Sequence, residues 1–363
     1  MKLGIPLETV TGETRVACTP EMVKKLRSKG LTVQVAKNAG LLAGFTDQEF
    51  IEQGAEIVEQ NNALKADIVI KVRKPSAEEV EQMADKALFI GHIETCDDQD
   101  PIIEAMHKKE MQILSMERIP RISRAQSMDT LSSQANIAGY RAVIEGVSQY
   151  GRFTPMMMTS AGSSKPSKVI VLGVGVAGLQ AIATAKRLGA DVYAYDIRPE
   201  TKEQIISVGA KPIELDLGDT GTGEGGYAKE LSDEDKAKQQ ALLEDILAKA
   251  HIIITTALIP CRPAPTLVTE AVVKRLRAGS VIVDLAAANG GNCPLTEADK
   301  IITKHHVKLI GITNYPALMA TDASRYFSQN ITKLLELLFT KKDNGEILFD
   351  DLSKDEITQA ALI

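Results

Sequence analysis

Residues 168–178 read Lys168-Val-Ile-Val-Leu-Gly-Val-Gly-Val-Ala-Gly178, a short apolar run that leads directly into three glycines. This spacing after an apolar run is typical of a parallel strand and the phosphate-binding turn of a dinucleotide-binding fold. Gly173 permits the tight turn, Gly175 leaves room for a pyrophosphate, and Gly178 lets the next helix pack close to the sheet. The alternative is a glycine turn in an ordinary βα unit.

The residues that follow complete the pattern. Residues 179–188 are rich in alanine with apolar residues at helical spacing, and Gly189 ends the segment. Residues 191–196 predict the second parallel strand, with Asp196 at its end. An acidic side chain there can accept hydrogen bonds from a ribose 2′-hydroxyl and repels a 2′-phosphate, so NAD(H) is favoured over NADP(H). Arg198 weakens this preference, because an arginine at that place could meet a phosphate.

Length and composition limit the class of protein. The chain has 363 residues, enough for two domains of about 150 residues each. Its apolar fraction of 44 % and charged fraction of 25 % are ordinary for a globular protein. No apolar stretch approaches the roughly 20 residues that span a bilayer, and the amino terminus lacks a signal-peptide hydrophobic region. We therefore expect a cytoplasmic protein without direct membrane insertion, and the net charge of −6 argues against a nucleic-acid partner.

The four cysteines, Cys18, Cys96, Cys261 and Cys293, are far apart in the sequence and include no CxxC pair. Neither a zinc site nor a disulfide framework is indicated, and no other metal site is predicted. We interpret all four as small apolar residues that are buried.

Short apolar segments alternate with helical ones over the first 130 residues. Strands are predicted at residues 3–6, 32–36, 66–72, 87–91 and 112–117, and helices near residues 20–28 and 47–53. This alternation predicts an α/β domain with a parallel sheet. Residues 127–147 carry an apolar stripe at helical spacing, which predicts a long helix leading into the next domain.

The second half predicts a doubly wound dinucleotide-binding domain, so the fold class is α/β with two Rossmann-like domains. Further strands are predicted at residues 211–215, 251–257, 280–285 and 307–312. A helix predicted at residues 322–339 should pack back on the first domain, and the polar tail beyond Lys341 should be loosely held. The predicted domains are residues 1–131 with 318–363, and residues 132–317. The glycine-dense residues 217–229 predict a mobile loop, or else a disordered surface insertion.

A longer motif carries a family resemblance. Residues 118–141 read Arg118-Ile-Pro-Arg-Ile-Ser-Arg-Ala-Gln-Ser-Met-Asp-Thr-Leu-Ser-Ser-Gln-Ala-Asn-Ile-Ala-Gly-Tyr-Arg141. This segment closely resembles a signature of the NAD(H)-binding component of proton-translocating nicotinamide nucleotide transhydrogenases. Residues 156–162, 225–229, 254–260 and 289–294 also match that family, and the likeness covers nearly the whole chain.

The resemblance implies a fold, an activity and a set of partners. The fold would be two α/β domains with a cleft between them, usually in a homodimer. The activity would be hydride transfer from NADH to NADP⁺, with NADP(H) held by a different component and proton translocation carried out by a membrane-spanning one. The chain would then be cytoplasmic and peripheral, held at the inner face of the cell membrane through its partner subunits.

The resemblance also assigns site residues by motif. Arg121, Gln126, Asp129 and Ser132 match a loop that lies at the nicotinamide ring and meets the NADP-binding partner, and the first three are the candidate catalytic residues. The other matched cofactor-binding positions are Ser127, Met128, Gly173, Gly175, Val176, Gly178, Asp196, Ile197, Arg198, Gly226, Tyr227, Ala257 and Leu258. In that family, the loop holding the positions of Gly226 and Tyr227 closes over the nucleotide. Structural roles stay open: Arg121 could form a salt bridge, Gln126 and Asp129 could cap a helix, and Ser132 could bond to backbone.

Alanine dehydrogenases resemble the chain as well, from Gly4-Ile-Pro through Arg15 to the glycine-rich half. Oxidation of an amino acid needs an acid or base beside the hydride donor, and that family uses a lysine, a histidine and an aspartate. Here Arg73 stands for the lysine and Ala288 for the aspartate, and neither can exchange a proton at working pH. His92 lies near the remaining position, where we favour a structural role.

Three functions therefore stay open on the sequence. The favoured one is the NAD(H)-binding subunit of a transhydrogenase, because transfer between two nicotinamide rings moves hydrogen from carbon to carbon and requires no acid or base. The second is a stand-alone NAD-binding sensor. The third is an amino-acid oxidoreductase similar to alanine dehydrogenase.

Overall fold

Two parallel sheets organise the protein. The computed structural model describes residues 1–94, 99–215, 233–259, 261–341, 347–349 and 351–363. This portion of the chain divides into two compact units, a first unit of Met1–Ile137 with Pro316–Ile363 and a second unit of Ala138–Tyr315. Each unit contains one large sheet built mainly of parallel strands, so the predicted α/β class with two Rossmann-like sheets is confirmed.

The described elements are numbered in chain order. The strands up to the glycine-rich turn are β1 (Lys2–Ile5), β2 (Thr32–Ala36), β3 (Glu56–Val58), β4 (Ile68–Ile70), β5 (Leu88–Gly91), β6 (Gln112–Ser115), β7 (Met157–Thr159), β8 (Gly162–Ser164) and β9 (Lys168–Leu172). The later strands are β10 (Asp191–Tyr195), β11 (Lys211–Pro212), β12 (Ile252–Thr255), β13 (Val281–Asp284), β14 (Ile301–Lys304), β15 (Val307–Ile310), β16 (Phe339–Lys341) and β17 (Ile347–Phe349). The helices are α1 (Pro20–Ser28), α2 (Asp47–Glu52), α3 (Gln60–Leu64), α4 (Ala77–Gln82), α5 (Pro101–Lys108), α6 (Thr130–Gln149), α7 (Val176–Arg187), α8 (Thr201–Ser207), α9 (Asp233–Leu247), α10 (Glu270–Arg275), α11 (Ala320–Leu338) and α12 (Glu356–Ala361).

The first sheet has the strand order β3-β2-β1-β4-β5-β6, and every neighbouring pair is parallel. Its inner strands are short apolar runs, such as the fully buried Ile-Val-Ile of β4, as expected for a sheet covered on both faces. The chain leaves β1 toward one half of the sheet and β4 toward the other, so the topological switch point lies between these two strands. The edge strand β3 was not predicted, because it has three residues, begins with a glutamate and is only half-buried.

Helix ends follow local sequence signals. Pro20 occupies the first position of α1, where its missing N–H would have no helical partner. Thr46 and Ser76 begin α2 and α4 with capping boxes, in which a glutamate three residues later returns the hydrogen bond. The helix predicted at residues 20–28 is confirmed, and the one predicted at residues 47–53 ends at Glu52.

The long helix α11 belongs to the core of the first unit. Phe327, Ile331, Leu334 and Leu335 are buried in one apolar cluster with side chains of β1, β2 and β4. The sequence-based prediction that this helix packs on the first sheet is therefore confirmed. The stripe works because these residues recur three and four positions apart and so lie on one helix face.

The prediction of a loosely held carboxyl-terminal tail was wrong. Helix α12 buries Ile357 and Ala361, and Leu352 is buried beside them in the same core cluster. At the end of the chain, Leu362 forms a β-bridge with Leu114 and the Ile363 N–H donates to the Ile113 carbonyl oxygen at 3.0 Å. A few apolar residues in a polar stretch are enough to fix this segment against β6.

The second sheet has the order β11-β10-β9-β12-β13-β15-β14 and is parallel except for its last pair. Alternate residues of β9 point into two different apolar clusters: Val169 and Val171 into one, Ile170 and Leu172 into the other. The period-two alternation with apolar residues on both faces is what a doubly wound sheet requires. The sequence missed the antiparallel edge strand β14, whose residues are mostly exposed.

The predicted long helix at residues 127–147 is α6, which begins in the first unit and ends in the second. Cys18 and Cys293 are buried thiols, as predicted. Cys261 is exposed and disulfide-bonded, so the prediction was wrong for this residue. Cys96 and the predicted mobile loop at residues 217–229 lie outside the described residues. Within the described stretches of the chain, no helix combines the length and the hydropathy needed to cross a bilayer.

Candidate nucleotide-binding site

The carboxyl ends of β9 and β12 mark the switch point of the second sheet. The chain continues from β9 to β10 on one side, and β12 pairs with β9 on the other. In open parallel sheets, ligands bind in the crevice outside the strand ends at this place. Gly173 follows β9 and Thr256 follows β12, so these two residues line the candidate site.

The three glycines each meet a steric requirement of the turn. Gly173 has a left-handed φ of +91°, and a Cβ on it would lie 2.6 Å from the Thr256 hydroxyl. A Cβ on Gly178 would collide with the Gly173 carbonyl oxygen, because α7 packs tightly on the turn. At Gly175, no described atom lies within 4 Å of the Cβ position. The start of α7 is therefore approachable, and the first backbone N–H groups of a helix are suited to hold a phosphate.

Asp196 connects the end of β10 with the glycine turn. One of its carboxylate oxygens accepts from the Val174 N–H at 2.7 Å. Both oxygens also accept from Arg198, through its backbone N–H at 2.9 Å and through Nε and Nη2 at 3.0 Å. Partial burial alone would raise the pKa of Asp196, but these hydrogen bonds and the charge of Arg198 hold the pKa below its usual value. The side chain is thus an ionised acceptor at neutral pH.

The contacts of Arg198 affect the choice of nucleotide. A carboxylate offers about four lone-pair positions, and Val174 and Arg198 use all four of them on Asp196. The Arg198 side chain is half exposed, so it can move aside when a ribose hydroxyl takes its place on Asp196. Its charge is neutralised by Asp196, which removes the main objection to a preference for NAD(H). Ile197 between them is exposed.

Ala257, at the end of β12, is held by a residue that the sequence analysis did not single out. The side chain of Asn292 accepts from the Ala257 N–H at 3.2 Å and donates to the Ala257 carbonyl oxygen at 2.9 Å. It also donates to the Pro265 carbonyl oxygen at 2.8 Å, and it is fully buried. Leu258 is half exposed at the surface beside it. The only sequence signal for Asn292 was its place in the matched stretch at residues 289–294.

Asp284 is a second positioning residue that was missed. It ends β13 and is fully buried, and it accepts four hydrogen bonds between 2.9 and 3.1 Å. The donors are the hydroxyls of Thr255 and Thr296 and the N–H groups of Ala286 and Cys293. With all its acceptor positions used, this carboxylate fixes the loop that carries Asn292.

The predicted nicotinamide loop lies in the first unit. Residues Ser123–Met128 form a 3₁₀ helix, in which Gln126 and Ser127 are exposed and Met128 is buried. Asp129 accepts from the Ser132 N–H at 2.8 Å and from the Ser132 hydroxyl at 2.6 Å, at the start of α6. Asp129 is therefore a helix cap, which was one of the alternatives. A capping role does not exclude ligand binding, because the cap fixes the direction of the carboxylate.

Arg121 is exposed, and its pairing with a helix is not observed among the described residues. The structure thus gathers the predicted residues into two groups. Those in the first unit are Arg121, Gln126, Ser127, Met128, Asp129 and Ser132, and those in the second unit are Gly173, Gly175, Val176, Gly178, Asp196, Ile197, Arg198, Ala257 and Leu258. Gly226 and Tyr227 lie outside the described residues.

Buried ion pairs occupy the switch point of the first sheet. Arg15 donates to both oxygens of Glu13 at 2.7 and 2.6 Å, and Arg73 donates to Glu13 at 3.0 Å. Lys71 donates to both oxygens of Glu79 at 2.7 and 2.6 Å and is fully buried. Burial alone would raise the pKa of Glu13, but Arg15 and Arg73 lower the pKa to about 2. Arg15, Lys71 and Arg73 are therefore engaged with carboxylates of the chain itself.

His92 and Glu8 complete this cluster. His92 is buried, its Nε2 lies 2.8 Å from the Thr130 hydroxyl, and its ring meets Phe327 edge-on. These contacts give His92 the satisfied structural role that we favoured. Glu8 accepts from the Val72 N–H at 2.5 Å and from the Arg73 N–H at 3.3 Å. Burial raises the pKa of Glu8 to about 7, although the nearby charge of Lys71 opposes the rise.

Comparison with known proteins places the chain in a family. Residues 4–138 match the family model described as alanine dehydrogenase/PNT, N-terminal domain, and residues 142–362 match alanine dehydrogenase/PNT, C-terminal domain. The chain is 49 % identical to an NAD(P) transhydrogenase subunit alpha polypeptide of Rhodospirillum rubrum, over 92 % of this chain and 89 % of that one. The identity is 30 % with alanine dehydrogenase 1 of Staphylococcus aureus, over 93 % and 87 % of the two chains.

A solved structure gives the same result. The fold superimposes on the crystal structure of transhydrogenase from Sinorhizobium meliloti with a TM-score of 0.84 and 42 % identity, covering 93 % of this chain and 94 % of that one. Fold and sequence thus define a two-sheet protein with Rossmann-like topology of the kind found in both branches. The chain belongs to the alanine dehydrogenase/PNT family.

Proposed function

We propose that the chain is the NAD(H)-binding component of a proton-translocating NAD(P) transhydrogenase. It would hold NADH and pass its hydride to NADP⁺ on a partner component. The single observation that carries this choice is the replacement of the proton-transferring groups: Arg73 and Ala288 stand where an amino-acid oxidoreductase needs a lysine and an aspartate. The names of relatives that match at 42–49 % identity support the same choice.

The chemistry of the reaction fits such a site. A hydride that passes between two nicotinamide rings leaves one carbon and joins another, and no O–H or N–H bond changes. The protein must therefore hold the two reacting carbons about 3 to 3.5 Å apart and exclude water. Lys71 and His92, the groups of the first unit best suited to move a proton, are occupied by Glu79 and Thr130.

Residues of the second unit would bind the adenosine half of the nucleotide. The open start of α7 at Gly175 and Val176 fits a pyrophosphate, and Asp196 fits the ribose hydroxyls once Arg198 moves aside. Ala257 and Leu258 would flank the nucleotide at the end of β12. In the first unit, Gln126 and Asp129 would orient the carboxamide of the nicotinamide, and Arg121 would anchor the loop or a phosphate. Gly226 and Tyr227 would close over the bound nucleotide.

The proposal includes the assembly. The domains would be residues 1–131 with 318–363 and residues 132–317, and NADP(H) would be held by a second component. A membrane-spanning component would move the protons and hold this chain at the inner face of the cell membrane.

A homodimer belongs to the same proposal. Three large apolar side chains, Phe153, Met156 and Met158, are 54 to 77 % exposed in and just before the hairpin of β7 and β8. Apolar side chains exposed close together mark interaction surfaces more often than free surface. Sedimentation equilibrium should give a dimer for the wild-type chain and a shift toward monomer for Met158→Glu. A wild-type monomer at micromolar concentration would contradict the proposed homodimer.

A reconstitution experiment tests the function. The purified chain is mixed with a purified NADP-binding transhydrogenase component, and reduction of an NAD analogue by NADPH is followed. We expect turnover only with both components present. Nucleotide binding without turnover would instead indicate a sensor, and turnover of alanine, or of pyruvate with ammonia, by the chain alone would indicate an amino-acid oxidoreductase.

A further inference from the structure

The loop that carries Gln126 and Asp129 needs outside support. It is a 3₁₀ helix of six residues, and helices of this type are weakly stabilised by their own hydrogen bonds. Gln126 and Ser127 are exposed, so they gain little from packing. Buried Ala125 and Met128 hold one side of the loop in the core cluster, but apolar contacts are not directional and do not fix the orientation of a peptide group.

A side chain of α11 supplies the missing directional contacts. The Asn330 Nδ2 group donates to the Ser127 carbonyl oxygen at 2.8 Å, and Asn330 Oδ1 accepts from the Ser133 hydroxyl at 2.7 Å. The two bonds lie on either side of Asp129 in the sequence, so one amide group connects both ends of the segment that should orient a nicotinamide.

The mount of Asn330 is rigid. Asn330 is 8 % exposed, and its neighbour Ile331 is buried in the core of the first unit together with Phe327 and Leu334. A hydrogen bond from a fixed, buried amide positions its partner more strictly than one from a mobile surface side chain.

A second contact holds the other side of the loop. The Arg124 guanidinium forms a bidentate pair with Asp355 at 2.7 and 2.9 Å and contacts Glu356 at 3.1 Å. This pair is half exposed, and exposed ion pairs contribute little even when their geometry is good. It serves as an internal comparison, because it touches the same loop without holding the Ser127 peptide group.

We propose that Asn330 is a positioning residue for hydride transfer, which acts by fixing the Ser127 carbonyl group and the Ser133 hydroxyl and thereby the direction of Gln126 and Asp129. This inference rests on the proposed function. Asn330 contacts neither of the proposed nicotinamide-orienting side chains itself, so its removal should change the geometry of the bound nicotinamide more than the affinity for NADH.

The decisive variant is Asn330→Asp. It keeps the size of the side chain and the acceptor for Ser133, but it replaces the donor to the Ser127 carbonyl group with a second oxygen. A displacement of about 1 Å can cost on the order of 100-fold in rate when two reacting atoms must be aligned. We expect the single-turnover rate of hydride transfer, measured with the NADP-binding component, to fall about 10- to 100-fold, while the Kd for NADH changes by less than about 3-fold.

Two matched variants serve as controls. Thr332→Val changes a buried residue of the same helix whose hydroxyl has no hydrogen-bond partner among the described residues, and it should leave both measurements unchanged. Asp355→Asn weakens the exposed pair with Arg124 and should lower the rate by less than about 3-fold. A loss in Thr332→Val equal to that in Asn330→Asp would overturn the proposal, because it would indicate a general packing defect of α11.

Hydrogen exchange of the free chain separates this inference from the proposed function. In Asn330→Asp, the backbone N–H groups of residues 124–129 should exchange faster, and those of β1 and β4 should keep their protection. Unchanged exchange in the loop, or a hydride-transfer rate within 2-fold of the wild type, would overturn the role of Asn330. Absence of hydride transfer in the wild-type pair would contradict the proposed function and leave the exchange result to decide the role of Asn330.

Discussion

The two sheets share a topology but differ at their switch points. At the carboxyl ends of β9 and β12, the second sheet has glycines, an open helix start and one carboxylate, which together leave room for a nucleotide. At the carboxyl ends of β1 and β4, the first sheet has buried pairs, Glu13 with Arg15 and Lys71 with Glu79. One βαβ scaffold thus supports a binding crevice in one case and an internal ion-pair cluster in the other, and the residues after the strands decide which.

The largest expected effect concerns the steric design of the open crevice. Gly178→Ala places a methyl group against the Gly173 carbonyl oxygen, where the backbone cannot yield without moving the turn. Overpacking of this kind costs about 1 to 3 kcal/mol. Urea unfolding should detect this loss of stability, and NADH binding should weaken by at least about 100-fold because the turn moves.

Gly175→Ala is the control for that prediction. Its Cβ would meet no described atom within 4 Å, so the free energy of unfolding should change by less than about 0.5 kcal/mol. Its methyl group would nevertheless occupy the space proposed for a pyrophosphate. If NADH affinity were unchanged in Gly175→Ala, the nucleotide would not lie at the start of α7.

The second prediction concerns the loop of the first unit. Asp129→Ala and Gln126→Ala should each lower the single-turnover rate of hydride transfer by about 100-fold and change the Kd for NADH far less, because both side chains act by positioning. Asp129→Ala also removes the cap on α6, which should cost about 1 kcal/mol of stability. Losses of equal size in rate and in binding would remove the positioning role.

The structure explains which features the sequence could predict. Parallel strands buried on both faces are short apolar runs, so β1, β2, β4 and β9 were visible before any contact was known. Edge strands such as β3 are short and polar, so they carry no such pattern. The glycine turn was visible because three steric requirements fall within six residues.

Positioning contacts could not be predicted, because they join residues far apart in the sequence. Ser127 and Asn330 are 203 residues apart, and Ala257 and Asn292 are 35 residues apart. An asparagine in a helix or loop has no local pattern that reveals its partner. The capping of α6 by Asp129 was foreseen as an alternative, because a cap needs only residues three positions apart.

The third prediction uses the ion-pair cluster of the first sheet. The folded-state pKa of Glu8 is about 7, above its usual value of 4.5, so folding favours the protonated form. The stability that Glu8 contributes is therefore complete below about pH 4.5 and is lost as the pH rises to about 7. Glu8→Gln cannot ionise, so its free energy of unfolding relative to wild type should increase by about 2 kcal/mol between pH 4.5 and pH 7.5.

Urea titrations of both proteins across this pH range measure the difference, with the exposed Glu81→Gln as a control that should stay within about 0.5 kcal/mol of wild type. A difference between Glu8→Gln and wild type that does not change with pH would mean that Glu8 ionises normally in the folded protein. Glu13 acts in the opposite direction. Because its pKa is lowered to about 2, its contribution is present above about pH 4.5 and is lost as the pH falls toward 2.

The smallest expected effect concerns the choice of nucleotide. Asp196→Asn removes the charge that would repel a 2′-phosphate but keeps a hydrogen-bonding group, and it frees Arg198 to meet that phosphate. The ratio of the NADPH and NADH affinities should shift toward NADPH by about 10-fold, or about 1.4 kcal/mol. Calorimetric titration with both nucleotides measures this ratio, and an unchanged ratio would place the ribose away from Asp196.

The central claim is that the protein positions a hydride donor and contributes no proton-transferring group. It is tested most directly with NADH carrying deuterium at C4 on the transferred face, mixed in ordinary water with the chain, a purified NADP-binding transhydrogenase component and NADP⁺. We predict that the deuterium appears in NADPH without loss to solvent, and only when both proteins are present. Deuterium released to water, or transferred to pyruvate with ammonia by the chain alone, would contradict the claim.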